Sequence, residues 1–483
     1  MQKHYRLLPV FCFFIVSSFP ILAQNVGIGT TSPSEKLHVT GNIKADTVKP
    51  NALKIMPNAG AGKVLTSDAV GNALWETNGA SGSVGYGVWG DCATNGNITA
   101  YNPVADATGA PNDNFGVSVS ISGNYAIIGA FQDDGPLGVD QGSASIYQYN
   151  GNSWVLMQKI TDATGAATDY FGVSVFISGN YAMVGSIADD GPLGIDQGSV
   201  SIYHFNGSSW IFQQKITDAT GAASDFFGYS VSISGNYAII GAMLDDGPLG
   251  IDQGSISIYQ YTGGSWALMQ KITDATGAAS DNFGVSASIS GNYAIVGAHN
   301  DDGVAGTDQG SASVYQYIGG SWVLMQKLLD LTAQLSDNFG VSVSISGNYV
   351  IVGASGYDFS GTDQGSASIF QYTGGSWGLM KKIVEATGAT NDRLGGSVFI
   401  TDNYAFIGVS RDMVGTNGNQ GSAYIYVKVG TGWQKLQFVT DPAGSPGDIF
   451  GISTAFDEAS KRFLIGARGY SSGTGKAVFG KIN

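Results

Sequence analysis

From Phe115 onward, large and small residues alternate: Phe115, Val117, Val119 and Ile121 stand against Gly116, Ser118 and Ser120. A period of two marks a strand with one bulky face and one slim face. "SGN" (122–124) then turns the chain into "YAIIGA", and a longer loop, "FQDDGPLGVDQG", leads to "SASIYQY". A short "NGNS" turn leads on to "WVLMQKI". Turn-forming residues close each run, so the pattern predicts four antiparallel strands per unit.

The phrase returns with anchors at Phe115, Phe171, Phe227, Phe283, Phe339, Leu394 and Phe450, spaced by 56 residues, or once by 55. A fixed period over seven copies is a repeat architecture. Four-stranded antiparallel units in that number predict a β-propeller, each unit one blade around a central axis. A bulky blade face then nests on the slim Gly/Ser face of its neighbour. A stacked solenoid is the competing arrangement, and the ends of the repeat region separate the two. The last unit, "FGISTAF", "RFLIGAR" and "KAVFGKI", has three strands and no tryptophan strand. "ITAYNPVADATGA", starting at Ile98, aligns with "WVLMQKITDATGA" and supplies the missing strand. A closed ring needs that strand, and closure removes the exposed edges that invite aggregation.

The "FG" and "IGA" phrases resemble the FG-GAP repeat of integrin-alpha-like propellers. The closer likeness is to bacterial exported FG-GAP proteins, whose units carry "GTDQGSASVYQY…GGSW" as this chain does at 306–322. The resemblance covers roughly residues 98–483 and implies an extracellular binding or adhesion module. Two departures matter. The third position of the "GAP" triplet is never proline; it is Phe131, Ile187, Met243, His299, Ser355, Ser410 and Arg468. Where some integrin blades carry a calcium loop between their first two strands, this chain has only a short turn such as "SGN". The family's calcium sites therefore do not carry over.

Ahead of the repeats the pattern changes. "MQKHYRLLPVFCFFIVSSFPILAQ" has Lys3 and Arg6, an apolar run and then Ala23, which reads as a secretory signal peptide over 1–23, with a retained anchor as the alternative. Residues 24–82 place short alternating runs among Gly, Ser, Thr and Pro. "VGIGTTSP" and "KVLTSDA" there resemble stalk segments of exported Bacteroidetes-type proteins, related in style to phage tail-fibre repeats. Self-association through such a stalk is implied by that resemblance alone; a weakly structured linker is the plainer reading. Residues 83–97 read as a joint before the propeller at 98–483. The whole is then all-β: a seven-bladed propeller of FG-GAP-like blades, closed by an N-terminal strand and preceded by a small β-rich stalk.

Composition narrows the chemistry. The formal charge is −15 with 22 Lys and Arg, which argues against nucleic acid as partner, since phosphate binding draws on cations. Of two cysteines, Cys12 lies in the leader and leaves Cys92 alone, so no intramolecular disulfide follows. No membrane span is expected once the leader is removed.

In a four-stranded blade the short turns share one face of the ring, and the long loops and blade-to-blade links share the other. The loop-rich face is acidic; in the second unit it carries Asp162, Asp169, Asp189, Asp190 and Asp196, the candidate ligand-binding residues. Calcium is the candidate cofactor, with Asp133, Asp134 and Asp140 as first ligands. The spacing of "DDGPLGVD" is not that of an EF-hand, and Asp and Gly also serve as plain turn formers. The recurring tryptophans, Trp154, Trp210, Trp266, Trp322, Trp377 and Trp433, suit packing better than a sugar-stacking row. His38, His204 and His299 occupy unrelated positions and give no assembled catalytic set. The expected function is therefore non-catalytic: binding or adhesion to an extracellular protein or glycan, by a chain exported to the cell surface or beyond. A secreted carbohydrate-active enzyme using the acidic face, or a purely structural surface or matrix protein, is the alternative.

Overall fold

The computed structural model describes residues 98–303, 306–332, 334–359, 361–385 and 388–482, together with four short strands nearer the N-terminus. Those four make two small pairs: Val26–Ile28 parallel to Leu37–Val39, and Lys63–Ser67 antiparallel to Ala73–Thr77. They fall in a compact unit, Met1–Val84, distinct from the unit Gly85–Asn483 that holds the repeats. The leader expected at 1–23, the joint expected at 83–97 and Cys92 lie outside the described residues.

The repeats form seven four-stranded antiparallel sheets. Blade 1 runs Val119–Ser122, Tyr125–Ala130, Ser143–Tyr149 and Trp154–Ile160. Blade 2 runs Phe171–Ser178, Tyr181–Ser186, Ser199–Phe205 and Trp210–Ile216, and blades 3 to 6 begin at Phe227, Ser286, Phe339 and Leu394. Blade 7 orders its strands Phe450–Asp457, Arg462–Ala467, Lys476–Ile482 and then Ile98–Val104. In that last pairing Ile482 faces Ile98 and Ala477 faces Val104, antiparallel. The first strand of each blade touches the first strands on both sides, and blade 7 returns to blade 1. The ring is closed, with the first strands innermost.

The apolar core is divided into seven clusters, one at each blade-to-blade interface. Blades lie close enough for backbone contact. The Ser118 hydroxyl donates to the Gly172 carbonyl of the next blade at 2.8 Å, and the same bond recurs six more times until Ser453 reaches Gly116. A Cβ on Gly129 would stand 1.9 Å from that Gly172 oxygen. Both glycines of the FG…GA phrase therefore answer one need, close approach of neighbouring sheets.

The alternation expected from Phe115 to Ile121 does not run through. Phe115, Val119 and Ile121 are buried, but Val117 is half-exposed. Gly116 takes φ +89°, and in blade 2 the register shifts between Phe171 and Val175. This bulge reverses the local alternation and turns the residue after the FG pair out of the interface.

At the outer rim five tryptophans, Trp210, Trp266, Trp322, Trp377 and Trp433, each meet a tyrosine from the blade before: Tyr125 meets Trp210 edge-on at 5.6 Å between centroids, and Tyr181 meets Trp266 at 5.5 Å. Their role is packing. The outer strand edge is also covered. The Gln158 amide donates to the Trp210 carbonyl at 3.0 Å and accepts from the Trp210 N–H at 3.1 Å, and Gln214, Gln270 and Gln326 repeat the first of these bonds. Among the described residues no helix is long and apolar enough to cross a membrane.

Candidate functional site

The long loops and links are built from their own polar side chains. In blade 2, Gly191 and Gly194 exchange backbone hydrogen bonds at 3.0 and 3.3 Å, folding "GPLG" into a tight turn. The Asp190 carboxylate accepts the Asp196 N–H at 3.1 Å, and Asp196 takes φ +54°. Gln197, fully buried, donates to the Asp218 carbonyl at 2.6 Å and ties the loop to the following link. In the link, Asp162 accepts from the Thr164 N–H and hydroxyl at 2.9 Å each, and Asp169 accepts from the Ala166 N–H at 2.5 Å. These are Asx-type turns, which make the loops parts of the frame.

Of the five candidate carboxylates, Asp162, Asp169 and Asp189 come together below the surface, all at most 5% exposed. Asp190 is exposed and Asp196 half-exposed at the loop. Two of the buried three hold Lys215, whose ammonium lies 2.8 Å from Asp162 and 2.5 Å from Asp189, while Asp169 feels its charge without pairing with it. The arrangement recurs. Lys159 pairs with Asp106 and Asp133, Lys271 with Asp218 and Asp245, and Lys327 with Asp274 and Asp301, at 2.5–2.9 Å. Where tyrosine replaces the loop aspartate the cation stays. Lys382 lies 3.2 Å from the Tyr357 ring centroid while pairing with Asp330. In blade 7 the strand supplied from the N-terminus has Pro103 at the lysine position, and Lys476 takes over from the third strand. It pairs with Asp441 and Asp448 and lies 3.9 Å from the Tyr470 centroid.

The cluster sorts its acids. Burial works to raise the pKa of Asp162, but Lys215 and the Thr164 amide and hydroxyl outweigh it and hold the group below the usual carboxylate range. Burial pushes Asp169 up to about 6, with the Asp189 charge adding and the Ala166 amide opposing. Asp113, Asp225, Asp281 and Asp392 likewise rise to about 6, burial first in each. Lys215 is raised: burial works against its charge, and contact with Asp162 and Asp189 more than restores it.

The three residues expected to begin a calcium site do not make a cage. Asp133 is held by Lys159 at 2.6 Å, and Asp134 accepts the Asp140 N–H at 3.0 Å. Burial and the neighbouring Asp134 charge raise Asp140. A calcium ion takes six to eight oxygens; here a lysine already fills the deeper position. Among the described residues no group of three or more His, Cys, Asp or Glu is placed to share an ion. His204 packs on Tyr181 at 5.0 Å, and His299 sits half-buried with its pKa lowered by burial.

Beside the exposed Asp134, Asp190 and Asp246, the loops also project apolar side chains. Leu137 and Val139, Leu193 and Ile195, and Leu249 and Ile251 are 50–68% exposed at the tips of blades 1 to 3. The lysines were the missed residues. Their signal was legible: a cation at one fixed offset in the outer strand, matched by acids at fixed offsets in loop and link.

Against known families, the FG-GAP repeat profile matches residues 104–147, 154–203, 210–259, 266–315, 322–370 and 377–426. Five of these stretches start at the tryptophan of an outer strand and run into the third strand of the next blade. The repeat unit is thus offset from the blade by one strand. No protein of curated function matches the chain.

Proposed function

We propose, for a chain that belongs to the FG-GAP repeat family, that it is a non-catalytic binding or adhesion module working outside the cell through the loop-rich face of its propeller. The supporting observation is the row of apolar tips at Leu137/Val139, Leu193/Ile195 and Leu249/Ile251, held out by loops that their own Asp and Gln side chains staple. Exposed apolar groups on a rigid frame are how a surface offers itself to a partner. Export follows from the leader sequence. Binding is expected to be independent of calcium, since a lysine occupies each of the best-formed acidic clusters.

A carboxyl near pKa 6 beside ionised carboxylates also fits acid catalysis. The same carboxyl recurs in five blades with the same turn partner, however, which is the behaviour of a building element. The test is an extracellular glycan and protein array probed with and without calcium, using the full chain and a Leu193→Ser/Ile195→Ser variant. Capture that weakens in the variant supports the reading. Capture unchanged by the variant removes the loop tips from the function, and turnover of a glycan abolished by Asp169→Asn replaces binding with catalysis.

A further inference from the structure

The chain is acidic overall and carries five arginines, three of which, Arg393, Arg411 and Arg468, stand at strand ends of the adjacent blades 6 and 7. Arg393 immediately precedes the innermost strand of blade 6, Leu394–Ile400. Arg411 follows the second strand of that blade, Tyr404–Val409, and its N–H bonds the Asp392 carbonyl at 3.2 Å, beside Arg393. Arg468 follows the second strand of blade 7, Arg462–Ala467. All three therefore stand at the loop-face ends of the two inner strands, around the mouth of the ring axis.

These cations have no partner of their own. Among the described residues none of the three makes an ion pair or a side-chain hydrogen bond. The two acids adjacent in sequence are engaged elsewhere: Asp392, beside Arg393, accepts the Ala389 N–H at 2.5 Å, and Asp412, beside Arg411, accepts the Ser422 hydroxyl at 2.6 Å. Burial lowers the Arg468 pKa and the Arg411 charge lowers it further, so the two guanidiniums lie within reach of each other's field. Arg468 also senses the Tyr229 hydroxyl, which comes from the innermost strand of blade 3. That places Arg468 over the axis. In the loop-face clusters each lysine is paired with acids, which makes cations without an acid partner here an exception. The positions equivalent to Arg468 in blades 1 and 3 are Phe131 and Met243, both half-buried. One side of the mouth is cationic and the other apolar.

We infer that the axial mouth formed by Arg393, Arg411 and Arg468 is a binding site for a carboxylate of a polypeptide partner, with apolar side chains beside that carboxylate resting on the Phe131–Met243 side. Guanidinium forks match the planar carboxylate and hold it in charge-assisted hydrogen bonds. The apolar half of the rim favours a peptide over a sulfated sugar. This inference rests on the reading of the loop face as a binding surface and names the partner's chemistry.

The test is calorimetric titration of the full chain with acetyl-Phe-Asp-Phe-amide and with its Asp→Asn counterpart, at low ionic strength. The aspartyl peptide is expected to bind, with affinity about tenfold weaker, or lower still, for the asparaginyl peptide and for Arg468→Gln or Arg411→Gln. Arg411 is exposed, so its variant is expected to fold. In peptide-free buffer it is expected to melt at or above the wild-type temperature, because a like-charge contact has been relieved. Absence of binding, equal affinity for the two peptides, or affinity unchanged in both variants overturns the inference. So does arginine-dependent binding of a heparin tetrasaccharide in place of the peptide. Array capture lost in Leu193→Ser/Ile195→Ser but kept in both arginine variants leaves the broader reading standing and sinks only this one.

Discussion

Lys215 pairs with two buried carboxylates, Asp162 and Asp189, and its charge reaches a third, Asp169, so its removal tests how much of blade 2 rests on that one charge. A buried ion pair adds little over an apolar replacement of the whole group, but taking away one partner leaves uncompensated charge. Lys215→Met is therefore expected to lower stability by about 3 kcal/mol at pH 7.5, read by urea unfolding. The pH dependence has a definite sign. The folded pKa of Asp169 is raised from 3.8 to about 6, so its contribution is fully present below the unfolded value and is lost as pH rises through about 6. Asp162 is shifted the other way, and its contribution is lost only as pH falls below the ordinary carboxylate range. Between pH 4 and pH 6 the first effect dominates. The penalty of Lys215→Met should accordingly shrink at pH 5, where Asp169 carries its proton. A penalty independent of pH would mean that the methylene stem of the lysine matters and its charge does not.

The strand and the turn are the scale at which glycine decides the fold. Gly129→Ala would place a methyl 1.9 Å from the Gly172 carbonyl of the neighbouring sheet, so the two blades must move apart. A loss of about 3 kcal/mol is expected, at the upper end for overpacking. Gly123→Ala, in the exposed "SGN" turn at φ +58° with nothing within 4 Å, should cost only about 1 kcal/mol of left-handed strain. Melting temperatures of the two variants check the difference, and equal losses would refute close blade packing as the reason for the FG…GA phrase. The strands themselves were readable, because a period of two and turn residues at fixed spacing are local signals. The bulge after Gly116 was not, since it depends on the neighbouring blade's backbone. The acidic clusters were half readable. Asp162 and Asp189 stand out as acids, but their burial around Lys215 joins a link, a loop and an outer strand 53 residues apart from end to end. The arginine mouth was the least legible, because it brings together residues of different repeats at positions where the repeat pattern varies.

Over the whole molecule, stability depends on closing a circle with a strand that comes from the wrong end of the repeat region. The serine–glycine bonds run through all seven interfaces and return from Ser453 to Gly116 at 2.8 Å, so each interface is held by the closure of the others. At the seam the usual tyrosine is replaced. Arg462 lies 3.7 Å from the Tyr149 ring centroid, and Trp154 stacks on Phe479 at 4.2 Å. At the seam the cation thus stands in the tyrosine's own place, whereas at the junctions of blades 5–6 and 6–7 a lysine lies over a tyrosine that is kept, Lys428 over Tyr349 and Lys461 over Tyr404. Two truncations separate the closing strand from everything before it. A chain starting at Gly85 keeps Ile98–Val104 and is expected to remain monomeric, with the unfolding midpoint of the full-length repeats. A chain starting at Ala105 leaves the Lys476–Ile482 strand unpaired along one side, and an unpaired strand edge recruits another chain. That second protein is expected to self-associate and to unfold at lower temperature, as light scattering and calorimetry would report. Adding a peptide of residues 98–104 should restore the monomer, because the empty place in blade 7 has the register to accept it: Ile98 opposite Ile482 and Val104 opposite Ala477. A monomeric, unchanged Ala105 chain would show that the ring holds shut through its inner strands alone.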